Sequence, residues 1–296
     1  SNATAKNLHP LLGEKLNLAR IENQHHFQSY LTAESPAYLS QFQVFNKVLF
    51  PATGYLEIAA AVGKNLLTTG EQVVVSDVTI VRGLVIPETD IKTVQTVIST
   101  LENNSYKLEI FSTSEGDNQQ ANQWTLHAEG KIFLDSTTNT KAKIDLEQYQ
   151  RECSQVIDIQ QHYQQFKSRG IDYGNSFQGI KQLWKGQGKA LGKIALPEEI
   201  AGQATDYQLH PALLDAALQI LGHAIGNTET DDKAYLPVGI DKLKQYRQTI
   251  TQVWAIVEIP ENTLKGSIKL VDNQGSLLAE IEGLRVTATT ADALLK

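Results

Sequence analysis

The chain has 296 residues, 41% hydrophobic and 20% charged, with a mean hydropathy of −0.26. This is the composition of a water-soluble globular protein, long enough for one large domain or two fused halves. A formal net charge of −7 argues against non-specific nucleic-acid binding, which needs a basic face, and no apolar run approaches the ~18 residues of a membrane span.

Cys153 is the single cysteine. One chain can therefore build neither a disulfide framework nor a cysteine metal cage, and a reducing cytoplasm is the expected setting. Residues 1–3 read as the remnant of tag cleavage on an excised piece of a longer polypeptide, and are set aside. His25 and His26, in ARIENQHH, lack partners at ligand spacing, so a solvated strand or turn is expected there, not a metal site. The run QFQVFNKVLF is β-rich and ends at Pro51. After it, PATGYLEIAAAVGKNLL is apolar nearly all round and predicts a helix wrapped on every side.

Beyond residue 73 come VVVSDVTIVRGLVI, KTVQTVIST, SYKLEIFST and QWTLHAEGKIFL. They are β-branched, partly alternating and separated by turn-forming clusters, as in an antiparallel meander. Residues 135–150 are polar and turn-rich, as a linker would be. DIQQHYQQFKSRG then predicts a helix that ends at Gly170. HPALLDAALQILGHAIG, residues 210–226, predicts a second apolar helix with Pro211 in its first turn. The strand-like runs VWAIVEI, GSIKLVD and SLLAEIEGLRVTA follow it. The expected architecture is α+β: two copies of a long central helix with an antiparallel sheet curled around it. Its bounds are 4–134 for the first half, 135–157 for a linker and 158–296 for the second half. No Gly-x-Gly-x-x-Gly or P-loop pattern occurs, so no nucleotide site is expected.

The ordered blocks HPLLG, PATGYLE, YGNSFQGIKQLW, LHPALLDAALQ and YLPVGI run from about His9 to about Ala288. Together they resemble the dehydratase domain of modular polyketide synthases. The resemblance implies a double hot dog fold with one active site at the junction of its halves. It also implies a hydro-lyase that removes water from a β-hydroxyacyl thioester, leaving a trans α,β-enoyl thioester, with no metal, nucleotide or redox cofactor. The substrate would ride on the phosphopantetheine arm of an acyl carrier protein. Further implied partners are the other domains of the synthase and a second copy of the chain in a homodimer. Carrier proteins are usually acidic, and Lys181, Lys185 and Lys189 are candidates for a local basic patch.

In that family a histidine in H-x-x-x-G-x-x-x-x-P takes the α-proton, and an aspartate in D-x-x-x-Q/H helps the β-hydroxyl leave. The second motif is intact as Asp215 and Gln219, whose i, i+4 spacing puts both on one helix face. The first keeps its spacing to Pro51 but carries Phe42 at the histidine position, Asn46 at the glycine and Gln41 before it. Phe42 cannot accept a proton. Three readings of it stand: a core aromatic of a protein that shares only the fold, a decayed dehydratase, and a deliberate replacement that plugs the cavity.

Asp215 reads either as a first-turn carboxylate favoured by the helix dipole or as a desolvated acid with a raised pKa. Gln219 reads as a positioner of Asp215 or of a water. Tyr173 and Phe177 are expected to line the substrate tunnel, and simple packing is the competing reading for both. Gly54, just after Pro51 at a helix start, is expected to offer its N–H to the thioester carbonyl, and Pro51 is placed with the substrate-binding set. His210 is expected to be structural. The chain as it stands is expected to be inactive or nearly so. The alternatives are a noncatalytic docking scaffold and an enoyl isomerase on the same fold.

Overall fold

The computed structural model describes residues 8–114, 123–136, 142–225, 233–260 and 265–295. Residues 1–3 and 137–141, which hold the expected tag remnant and part of the expected linker, lie outside the described residues, as does Gly226. Among the described residues, thirteen strands form one sheet, each antiparallel to its neighbours. In spatial order the first half contributes Glu14–Leu16, Gln24–Leu31, Lys92–Thr100, Ser105–Ser114, Thr125–Asp135 and Gln72–Ile80. The second half continues with Ala234–Gln245, Leu277–Thr289, Gly266–Val271, Gln252–Glu258, Lys189–Ala195, Ile180–Gly186 and Gln155–Val156. The halves meet where Gln72–Ile80 pairs with Ala234–Gln245, in the register Val75 to Leu243 and Val78 to Ile240.

The helices are α1 (Ala52–Leu66), α2 (Leu146–Glu152), α3 (Ile159–Ser168), the single turn α4 (Glu198–Ala201), α5 (Pro211–Leu218), α6 (Leu221–Ala224) and the terminal α7 (Ala291–Leu295). α1 is buried on most of its circumference, including Tyr55, Leu56, Ile58, Ala59, Ala61 and Val62. Every residue of α5 is buried. Such helices are held by packing on all sides, at roughly 1.5–3 kcal/mol for each large apolar side chain taken out of water. The continuous helix expected over 210–226 is instead two segments. Its turn at Gln219 and Ile220 tightens, with Ile220 N–H reaching back to the Ala217 carbonyl at 3.2 Å and His223 N–H to the Ile220 carbonyl at 2.9 Å.

Part of the span expected to be linker is structured. α2 lies on the outer face of the second half's sheet, where Leu146 and Cys153 pack with Leu191, Ile256, Val271 and Leu277. α3 matches its expected span, with the Asp158 carboxylate accepting from Gln161 N–H at its start (2.8 Å). Gly170 ends it at φ +96°, and a β-carbon there would meet the Phe45 ring at 2.4 Å. Only glycine satisfies both demands.

A buried carboxylate ties the halves together. Glu57, on α1, is 2% exposed. It accepts from the backbone N–H groups of Gln208 (2.6 Å) and Leu209 (2.9 Å), just before α5, and from His9 Nε2 (2.8 Å). His9 Nδ1 in turn accepts from Leu11 and Leu12 N–H, so the ring proton sits on Nε2 and points at Glu57. Thr53, one turn earlier on α1, donates its hydroxyl to the Pro211 carbonyl at 2.9 Å. Replacing Glu57 by Ala strands three buried donors, two of them backbone. We expect Glu57→Ala to lose about 3–5 kcal/mol of stability in urea unfolding. A loss below about 1 kcal/mol would show that the halves are held by packing alone.

Candidate active site

Phe42 stands at the start of a short strand, Phe42–Val44, in a separate three-stranded sheet that also contains Lys47–Val48 and Ile171–Tyr173. The register pairs Phe42 with Tyr173 and Val44 with Ile171, so the strand that carries position 42 is paired with the second half of the chain. The turn that carries this strand back puts Phe45 at φ +48° and Asn46 at φ +63°. Asn is the non-glycine residue that best tolerates the left-handed region. The Asn46 departure from the family's glycine therefore keeps the turn that the motif needs.

The Phe42 ring is 4% exposed. It stacks on Tyr173 with centroids 5.5 Å apart and planes 13° from parallel, and lies 5.7 Å from the Phe177 ring. Asp215 projects from the middle of α5 and is 5% exposed. Burial pushes its carboxyl up to about 7, against the lowering effect of a hydrogen bond from Gln219. Gln219 Nε2 donates to Asp215 Oδ2 at 3.0 Å and to the Phe177 carbonyl at 2.8 Å. Burial, reinforced by the Asp215 charge, drives the pKa of the Tyr173 phenol far above its ordinary value.

Phe42, Tyr173, Asp215 and Gln219 all line one cavity of about 1760 Å³, so residues from both halves meet there. Three other expected substrate contacts do not reach its wall. Gly54 N–H is already given to the Pro51 carbonyl at 2.8 Å, and the glycine is needed because a β-carbon would meet the Phe50 ring at 2.5 Å. It is therefore no free donor for a thioester oxygen. Pro51 precedes α1 as a buried N-cap, and Phe177, fully buried, packs behind Phe42 and contributes its carbonyl to Gln219. His210 is structural, as expected: its Nδ1 caps α5 by accepting from Ala212 N–H at 3.0 Å, while Nε2 faces Gln203 Oε1 at 3.1 Å.

Two residues that sequence reasoning passed over stand behind Gln219. His162 is 1% exposed, and its Nδ1 lies 2.8 Å from His223 Nε2. No spacing signal links positions 162, 219 and 223; only the fold brings them together. Among the described residues no cluster of three or more His, Cys, Asp or Glu is placed to hold a metal, and no helix is long and apolar enough to cross a membrane.

The family model described as the polyketide synthase dehydratase N-terminal domain matches residues 141–296, and that of the polyketide synthase dehydratase domain matches residues 9–113. The chain belongs to the polyketide synthase dehydratase family. The dehydratase is a double hot dog. It is 98% identical to the dehydratase domain from the CurK module of the curacin polyketide synthase, with a TM-score of 0.93 over 97% of this chain and 100% of that one. It is likewise 98% identical to the crystal structure of a histidine-to-phenylalanine inactive mutant of the CurK dehydratase, with a TM-score of 0.94 over 97% and 100% of the two chains. Polyketide synthase GfsE of Streptomyces halstedii is 26% identical over 288 residues, which is 96% of this chain and 7% of that protein. The dehydratase thus spans a small part of the curated relatives it matches.

The buried acid has a measurable cost to the dehydratase fold. The folded-state pKa of Asp215 is raised, so its ionisation is opposed in the native state. The stability it supplies is complete below its unfolded value of 3.8 and is lost as the pH rises to about 7. Asn, with no proton to lose, escapes this. Asp215→Asn is expected to gain about 2–4 kcal/mol on the parent between pH 4 and 8, at about 1.4 kcal/mol per pH unit, read from urea unfolding across that range. A gap that does not change with pH would mean that Asp215 titrates as an ordinary carboxylate.

Proposed function

We propose that the dehydration chemistry of this fold is divided between position 42 and Asp215, and that the chain as it stands lacks the base. The observation that carries this is the meeting of Phe42 and Asp215, one from each half, on a single cavity wall. With histidine at position 42, the imidazole takes the α-proton of a β-hydroxyacyl thioester and the C–H electrons form the new double bond. The C–O bond breaks, and the hydroxyl leaves as water with the proton of Asp215. A carboxyl with a pKa of about 7 keeps a substantial protonated fraction at neutrality. The imidazolium and the carboxylate left behind reset through solvent.

Phenylalanine fills the imidazole position without a lone pair. It stacks on Tyr173. The similar CurK structure, described as an inactive mutant with phenylalanine in place of histidine, supports this reading. The Tyr173 phenol, kept protonated by burial and by Asp215, is suited to hold the β-hydroxyl. The substrate would arrive on the phosphopantetheine of an acyl carrier protein, within a dimeric synthase, and the chemistry needs no further cofactor. Of the three lysines considered for carrier docking, Lys185 lines the cavity, while Lys189 is paired with Glu152.

A paired assay tests the proposal, with β-hydroxyacyl pantetheine as substrate and enoyl product followed by mass. Phe42→His is expected to turn over at least about 10²-fold faster than the parent, and Asp215→Asn in that background should lose about 10²–10⁴-fold. Dehydration by the parent at the rate of Phe42→His would overturn the assignment of position 42. Silence from both folded proteins would favour a noncatalytic scaffold. In the Phe42→His protein the rate should fall as the pH rises through about 7, because Asp215 must be protonated to act as acid.

A further inference from the structure

Gln219 spends both amide hydrogens, one on Asp215 Oδ2 and one on the Phe177 carbonyl. Its Oε1 is therefore turned away from Asp215, and among the described residues it is buried without a hydrogen-bond partner. His162 Nε2 is also buried without a partner. His162 and Gln219 line the same cavity, and their two orphan atoms are complementary, an amide oxygen that can only accept and a ring nitrogen that can donate. The Gln219 amide also acts to raise the His162 pKa against its burial. The other side of the His162 ring is spoken for, with Nδ1 2.8 Å from His223 Nε2.

The hydrogen-bond roles then follow in one direction. The amide cannot flip, because its oxygen would face two acceptors, the Phe177 carbonyl and the Asp215 carboxylate. An amide oxygen needs a donor, so His162 carries its proton on Nε2. Its Nδ1 is then an acceptor, and His223 supplies Nε2–H. Burial holds both imidazoles neutral, His162 at about 3 and His223 at about 4. The bonds made are His223 to His162 at one end and Gln219 to Asp215 at the other. A proton on His162 Nε2 directed at the Gln219 oxygen joins them into one series in which every donor points towards Asp215.

We infer that His162 is a positioning residue for Asp215: through Gln219 it stabilises the carboxylate form, and His223 fixes the tautomer in which it can do so. This deepens the reading of Asp215 as the acid, on which it rests for its catalytic meaning. The groups that face the series are few. His162 sits against the rings of Tyr163 and Phe166 on its own helix and of His223 on α6. His223 feels Lys185 from Ile180–Gly186 and Arg169 at the end of α3. Asp215 is in electrostatic contact with Tyr163 and Tyr173, both held protonated by burial.

The test reads the Asp215 titration directly, by carbon-detected NMR of ¹³C-labelled aspartate in the full chain with Phe42 in place, assigned by the loss of its signal in Asp215→Asn. Turnover is not involved. His162→Phe keeps the ring and removes the donor, and the Asp215 midpoint should rise by about one pH unit. His162→Gln puts an amide N–H where Nε2 stood, and it should restore the parent midpoint to within about 0.3 of a unit. A merely structural role for His162 would not separate the two variants, so equal midpoints in both, or a parental midpoint in His162→Phe, would overturn the inference. If His162→Phe does not fold, His223→Phe, at a half-buried position, serves instead. It should mix the two His162 tautomers in ¹⁵N spectra and raise the Asp215 midpoint, and an unmoved midpoint overturns the inference. In the Phe42→His background, the falling limb of the rate against pH should follow the NMR midpoint. If the midpoint moves and the limb does not, the assignment of Asp215 as the acid fails while the His162 arrangement stands.

Discussion

Everything at the cavity depends on two helices from different halves being held at one relative position, and Glu57 supplies the fixed point. A carboxylate with almost no exposure would be a liability on α1 were it not met by three donors. Those donors come from two distant parts of the chain: the HPLLG segment at the start, and the adjacent residues Gln208 and Leu209 in the loop before α5. Packing alone lets helices slide by fractions of an ångström. A charged acceptor shared by directional N–H groups does not. The position of Asp215 on α5 is thereby referred to the start of α1 and, beyond it, to the strand that carries residue 42.

The same logic of burial runs through the chemistry. Asp215 is surrounded by leucine and alanine on a helix with no exposed face, and that surrounding lifts its pKa towards neutrality. A fully apolar setting would go further and leave the acid unable to ionise after it has given up its proton. Gln219 opposes burial with one hydrogen bond, so the site sits between a carboxyl that never ionises and one that always does. The tightened turn after α5 belongs to this compromise, because it lies where the Gln219 side chain must reach back to Asp215 and across to Phe177.

Much of this was legible in the residues. The apolar runs at 51–67 and 210–226, the meander after 73 and the helix ending at Gly170 carry strong periodicity or strong stop signals, and they specify two helix-in-sheet units. The motif spacings bring position 42 and Asp215 to the same place. The strand Ala234–Gln245 was not legible, because Pro237 and Gly239 interrupt it and such residues argue against an inner strand. The sheet absorbs them in a register shift, and Gly239 is required where a β-carbon would meet the Arg285 side chain and the Val78 carbonyl. α2 was missed because short, polar sequences that cover the outer face of a sheet look like linkers. Gly54 was misread for a different reason: a helix N-terminus suggests free N–H groups, but its first turn closed on Pro51. The environment of Gln219 had no sequence signal at all, since His162 and His223 reach it only by folding.

The pairing of Phe42 with Tyr173 has a consequence for how such a site can vary. In a strand, side chains alternate between faces, and a slip of one residue turns each of them to the opposite side. The residue that shares the cavity lining with Asp215 is therefore selected in whole steps, not by degrees. Position 42 either presents its side chain to the cavity or hides it, and no gradual drift of the backbone lies between. Chemical variety at this wall must come from exchanging the side chain in place, and a single exchange can silence the reaction while leaving the surrounding architecture unchanged.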